Sequence, residues 1–282
     1  MKGLPIKGWG VLAGLLTLSF PAQALEVKIK PESPQQGDTV SVTMETDSNG
    51  KKPEVSWGKE SYPVFAVGNN QYRALIPTTP LDDSGKIPLT IRGDDSVRNF
   101  VVWLRDRDFP TQRIQLSGDS LDATQLELDQ VAKFKKLVTS KKYWNGTFVR
   151  PNQGSVSTVF GVRRYYNGDF AENYYHKGVD YATGTGSPVV APADGKVALV
   201  GKESEGFHVH GSTIGINHGQ GVLSIFLHLN TINVKEGEMV KVGQKIGTVG
   251  STGASTGPHL HWGLYVNGKA VNPVPWRFDG IQ

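Results

Sequence analysis

The chain has no cysteine. That excludes disulfides, thiolate metal ligands and a lipoprotein attachment cysteine, so any metal site must be built from His, Asp or Glu. An exported protein without cysteine suits a bacterial periplasm or exterior better than a disulfide-built secreted domain. Net charge is also scarce. It is +4 over 282 residues, and +2 once Lys2 and Lys7 are set aside. So small an excess argues against nucleic acid as a partner and is compatible with an anionic envelope surface. No run beyond the N-terminus is apolar enough to span a bilayer. The first 175 residues lack histidine altogether. All seven histidines, His176, His208, His210, His218, His228, His259 and His261, fall in the remainder. Histidine is the usual neutral metal ligand and the near-neutral proton carrier, so such crowding points to a site in that part.

Apolar content of 38% with 34 glycines indicates globular, turn-rich structure long enough for two domains. The N-terminus reads as a secretory signal, residues 1–24. Lys2 and Lys7 precede an apolar stretch from Gly8 to Phe20, too short to span comfortably, and Ala22-Gln23-Ala24 is an A-x-A cleavage site. The rival is an uncleaved signal anchor. Residues 25–105 alternate apolar and polar side chains, as in Val40, Val42 and Met44, with turn signals such as Gly68-Asn69-Asn70 and Asp82-Asp83-Ser84-Gly85 between short runs. The expected fold there is an immunoglobulin-like β-sandwich. Residues 106–147 read as a linker with one helix over about Asp122–Thr139. Leu128, Val131, Phe134 and Val138 form its apolar stripe, Asp122 or Thr124 its N-cap, and a lysine cluster a solvated C-terminal end. From 148 to 282 the pattern is strand and turn again. The stretches 187–197 and 234–246 echo each other as strand, glycine turn and strand, which suggests a compact β barrel or sandwich. The fold class expected is therefore all-β with one linker helix.

Three places carry chemistry. His259 and His261, after the loop Gly253–Pro258, share one strand face by the period of two, with Leu260 turned to the core. His176 and Asp180 would lie about 13 Å apart on a flat strand, so they converge only if the backbone bends, which Gly178 permits. His228 ends the apolar run Val222–Leu227. Each has an ordinary reading as well, as a polar residue on a strand face or a satisfied core histidine. His208-Val209-His210 either lines a groove or is a loop. His218 in Asn217-His218-Gly219 reads as a turn residue, and Tyr174, Tyr175 and Trp262 either flank a groove or pack.

Taken together, these motifs resemble the lysostaphin-like (LytM-type) zinc metallopeptidases of peptidoglycan. The resemblance covers about residues 150–276 and rests on His176/Asp180, His228-Leu229 and Gly257-Pro258-His259-Leu260-His261 in order. Phe160-Gly161-Val162-Arg163 and Gly243-Gln244-Lys245-Ile246-Gly247 flank them. It implies Zn2+ as cofactor, His176, Asp180 and His261 as metal ligands, and His228 and His259 as catalytic histidines. It also implies a peptidoglycan peptide as substrate and partner. We expect a monomer with no stable membrane insertion after signal cleavage. One departure is Phe226, where that family often has tyrosine. The rival functions are a non-catalytic wall-binding regulator that activates another hydrolase, in which ligands would be missing, and a biotinyl-like structural adaptor.

Overall fold

The computed structural model describes residues 25–47, 51–93, 96–115 and 122–279. The expected signal segment lies outside them. Among the described residues, strands dominate, with one α-helix and two single turns of 3-10 helix. No helix there is long and apolar enough to cross a membrane.

Two four-stranded antiparallel sheets come first. Glu26–Lys30, Thr39–Glu45, Gln71–Pro77 and Val64–Gly68 lie side by side in one. Glu60–Tyr62, Glu54–Trp57, Gly85–Gly93 and Ser96–Leu104 form the other. The alternation explains their stacking. Val40, Val42, Met44, Ala74 and Ile76 face Val55, Leu89, Ile91 and Val102 in one apolar cluster, as a two-sheet sandwich requires.

Strand Gln71–Pro77 is buried on both faces. Leu75 leaves the sandwich and joins the C-terminal core. Beside it the buried Arg73 donates to Gln220 Oε1 at 2.5 Å and lies 5.2 Å from the Trp144 ring. Asn267 Nδ2 donates to Leu75 O at 2.7 Å, Lys269 pairs with Glu60 at 2.7 Å, and Trp276 Nε1 donates to Thr39 Oγ1 at 3.1 Å. The sandwich is thus fixed to the Asn267–Trp276 end of the C-terminal half.

The segment between the halves is woven into the C-terminal half. Thr111–Ile114 pairs in parallel with Arg163–Tyr166, and Trp144 and Phe148 are buried. The helix spans Gln125–Lys135, shorter than its sequence pattern suggests, with Thr124 as N-cap. Val131 and Phe134 are buried as expected, but Leu128 and Val138 are 48% and 44% exposed. Glu127, four residues before Val131, takes the first buried position instead.

The C-terminal half is an eight-stranded sheet. Its order is Ser155–Thr158, Gly178–Ala182, His259–Val266, Val222–Leu227, Thr213–Gly219, Gly195–Gly201 and Met239–Val240, with Lys269–Val271 paired to His259–Val266. A three-stranded sheet of Pro188–Val190, Lys245–Val249 and Leu229–Ile232 accompanies it. The two echoing stretches interlock. The first strand of one pairs with the second strand of the other, Pro188–Val190 with Lys245–Val249 and Met239–Val240 with Gly195–Gly201. This crosswise pairing leaves both sheets open, so the barrel alternative gives way to packed sheets.

His218 departs from its turn reading. It lies inside strand Thr213–Gly219, fully buried, with its two ring nitrogens 2.9 Å from Asp194 O and from Ser224 Oγ. Burial pushes its pKa down from 6.5 to about 4. A histidine held neutral when folded and free to charge when unfolded costs stability as pH falls through that window. His218 should therefore remove about 3 kcal/mol between pH 6.5 and pH 4. Chemical denaturation across that range should show a shallower loss for His218→Gln than for the unsubstituted protein. Equal slopes would refute it.

Candidate metal centre

Two adjacent strands build the site. Asp180 on Gly178–Ala182 lies directly opposite His261 on His259–Val266, and Ala182 lies opposite His259. His259 and His261 therefore share a face, while Leu260 is fully buried on the other, as strand alternation requires. Asp180 Oδ1 is 2.8 Å from His261 Nδ1. His176 precedes its strand and turns back, so that its Nε2 is 3.1 Å from Asp180 Oδ1 and 3.0 Å from His261 Nδ1. Gly178 is essential to that return, through close approach more than unusual dihedrals. A Cβ there would sit 2.3 Å from Trp262 O and 2.8 Å from His261 Nε2.

The His176 ring is oriented by the backbone. Its Nδ1 is 2.8 Å from Val159 O. A carbonyl only accepts, so Nδ1 carries a proton and Nε2 is the ring nitrogen turned to Asp180. Burial raises the Asp180 carboxyl, but hydrogen bonds to His176 and His261 hold it well below the usual carboxylate range. Burial pushes His261 down to about 4, against the opposing pull of Asp180. The three side chains are thus two imidazoles and a carboxylate, all buried, with donor atoms converging on one spot. A ring nitrogen and a carboxylate oxygen 3.1 Å apart suit a shared cation. The donor set fits a divalent ion of zinc type.

Two further histidines stand beside this cluster. His228 follows strand Val222–Leu227 in a left-handed conformation, φ 62°, which turns its ring out of the strand's alternation. Its Nδ1 donates to Thr252 O at 2.9 Å. The His259 Nδ1 donates to Gly257 O at 2.8 Å. In both, Nε2 is the nitrogen left free. The two rings are 4.8 Å apart, and that of His228 is 6.5 Å from that of His261. Burial, reinforced by His261 and His259, pushes His228 down to about 3. The pair presents two free Nε2 atoms next to the converging donors, an arrangement suited to proton transfer.

The remaining candidates fall elsewhere. His210 Nδ1 lies 2.5 Å from Glu127 Oε1. The His208 amide donates to the same carboxylate at 3.1 Å. Phe226 and Trp262 are fully buried, and Trp262 Nε1 donates to Ser224 Oγ. Tyr175 is buried and donates to Ala270 O, and the hydroxyl of half-buried Tyr174 is 2.8 Å from Arg164 Nη1. Sequence reasoning missed Val159, Thr252 and Gly257, which act through backbone carbonyls and so leave no side-chain signal. It also missed the buried Glu127, whose carboxyl is raised by burial but held below its ordinary value by His210 and Val209.

Residues 174–273 match Peptidase family M23. The DD-carboxypeptidase/endopeptidase Mpg of Neisseria meningitidis serogroup B is 44% identical over 99 residues, 35% of this chain and 22% of Mpg. The murein hydrolase activator NlpD of Escherichia coli K12 is 38% identical over 124 residues, 44% of this chain and 29% of NlpD. The chain thus spans less than a third of either relative. A crystal structure described as an M23 peptidase from Pseudomonas aeruginosa has the same fold, with TM-score 0.64 and 24% identity over 88% of this chain and 95% of that one.

Metal analysis of the purified protein after dialysis tests the cluster. Asp180→Ala and His261→Ala should each retain well under a tenth of the zinc held by the unsubstituted protein. Gly178→Ala should lose metal too, because its Cβ drives the Gly178 and Trp262 backbones apart. Full zinc in the Asp180 variant would exclude this donor set.

Proposed function

We propose, taking residues 174–273 as a domain of peptidase family M23, that this protein is an exported zinc-dependent endopeptidase. Its substrates are the peptide cross-links or stem peptides of bacterial peptidoglycan. The observation that carries the reading is the convergence of His176, Asp180 and His261 on one buried spot, with the free Nε2 atoms of His228 and His259 beside it. Similarity to Mpg, named a DD-carboxypeptidase/endopeptidase, supports the substrate class.

His176 Nε2, Asp180 Oδ1 and His261 Nδ1 would hold the ion, and three protein ligands leave a position open for catalysis. Zinc bound there would supply a Lewis acid for the scissile amide carbonyl and a water of lowered pKa. The chain has no HExxH glutamate, so a histidine takes the water's proton. His259 is assigned that task at Nε2, because Gly257 O fixes its Nδ1 as the protonated nitrogen. His228, tied in the same way to Thr252 O, is assigned to the developing oxyanion or the leaving amine. Export rests on the signal-like residues 1–24 and puts the mature chain in the periplasm or outside the cell. There it works as a monomer, with peptidoglycan as its partner.

The similarity to NlpD favours a second reading, a wall-binding regulator that activates another hydrolase. Against it stands the presence of all five site residues. Digestion of purified peptidoglycan, read by mass spectrometry of the released peptides, separates the two. The unsubstituted protein should create new peptide ends and so name the bond. His259→Ala should keep about one zinc per chain yet lose activity by at least about 100-fold. A zinc-loaded protein that releases nothing from any wall type would favour the regulator.

A further inference from the structure

Among the described residues Glu127 is the most thoroughly engaged carboxylate, and no metal or substrate role uses it. It sits in the first turn of the Gln125–Lys135 helix and is completely buried. Its Oε1 accepts from His210 N at 2.6 Å, His210 Nδ1 at 2.5 Å and Val209 N at 3.2 Å. Its Oε2 accepts from His208 N at 3.1 Å and Val209 N at 3.2 Å. Three consecutive loop amides thus end on one side chain from a distant part of the chain. The N-cap reinforces the joint, since Thr124 Oγ1 donates to Gly206 O at 2.7 Å.

The loop so gripped holds His228 from two sides. His210 O accepts the His228 backbone N–H at 3.1 Å. Val209 O accepts Ala254 N at 3.0 Å, tying down the turn that contains Thr252. Thr252 O accepts the His228 ring proton at 2.9 Å, and Thr252 Oγ1 accepts Ser212 N and donates to Leu229 O, both at 2.9 Å. The two loops touch backbone to backbone, because a Cβ on Gly211 would lie 2.4 Å from Thr252 O. A non-glycine residue at φ 62° persists only where its surroundings over-determine it. Here they do so through both its backbone and its ring.

We infer that Glu127 is a positioning residue for His228, which makes the helix ahead of the peptidase domain a working part of the active site. The inference rests on the proposed catalytic role of His228, while its structural half stands independently. The metal cluster receives no hydrogen bond from Glu127 or from residues 208–210, so the effect should reach His228 and spare the metal.

The test uses the zinc-loaded full chain, compared with Glu127→Gln, which keeps the side-chain shape but replaces one acceptor oxygen with an NH2 group. Zinc should remain at about one per chain. The His228 ring 15N signals should move, while the His176 signal, fixed by Val159 O, stays in place. On a soluble cross-linked muropeptide, kcat should fall on the order of 10- to 100-fold, with KM within about twofold. Thr124→Ala, which keeps the carboxylate but loosens its helix, should move the same His228 signals by less, and it serves if Glu127→Gln does not fold. Unmoved His228 signals, loss of zinc together with activity, or a change confined to KM would each overturn the inference. If the unsubstituted protein cuts no wall peptide, the enzyme reading fails, and the His228 signals still decide the positioning.

Discussion

The site depends on the register between strands Gly178–Ala182 and His259–Val266. That register places Asp180 opposite His261 and leaves His259 next along the same face. A slip of one residue would turn both histidines into the core and Leu260 outward, so site and core constrain each other. A cross-strand glycine pair, Gly178 with Gly263, makes room for the chain to fold back and bring His176 over the strand. The Leu260, Trp262 and Leu264 side chains, all fully buried, hold the register from the far face.

Orientation within the cluster comes from main-chain carbonyls. Val159, Thr252 and Gly257 each accept from the Nδ1 of one histidine, which orients three rings and turns the Nε2 of His176 to Asp180 while leaving those of His228 and His259 free. His261 is turned the other way, with Nδ1 toward Asp180. Burial pushes the His261 and His228 pKa values down, and Asp180 carries a negative charge beside them. A buried carboxylate is costly without a counter-ion, and a divalent cation supplies one. The five residues thereby divide into a group of donors converging around Asp180 and a pair of histidines beside it.

How much of this is legible in the sequence varies with the range of the interaction. Period-two alternation at Val40, Val42 and Met44 shows the sandwich strands, and the His-x-His spacing shows a shared face, because both are local. The echo between 187–197 and 234–246 shows repeated units but not their crosswise pairing, which excludes a closed barrel. The fully buried His218 hides because Asn217-His218-Gly219 looks like a turn, whereas the chain turns slightly later, where Gln220 and Gly221 adopt positive φ. Glu127 hides for the opposite reason. A glutamate beside an apolar stripe reads as surface, and only the fold brings it against three amides some eighty residues away. The role of Gly178 was half legible, since a required bend was apparent but the Trp262 carbonyl behind it was not.

The sandwich meets the other half around Gln220 and Asn267–Trp276, and also where Gly37 packs against Phe160. The helix, by contrast, reaches the loop that holds His228. The proposed activity turns on the division between metal-holding and proton-moving histidines. X-ray absorption fine structure at the zinc edge of the loaded protein tests it most directly. Two imidazole nitrogens, a carboxylate oxygen and one further light atom should surround the ion. A first shell of three or four imidazoles would place His228 or His259 on the metal and contradict it.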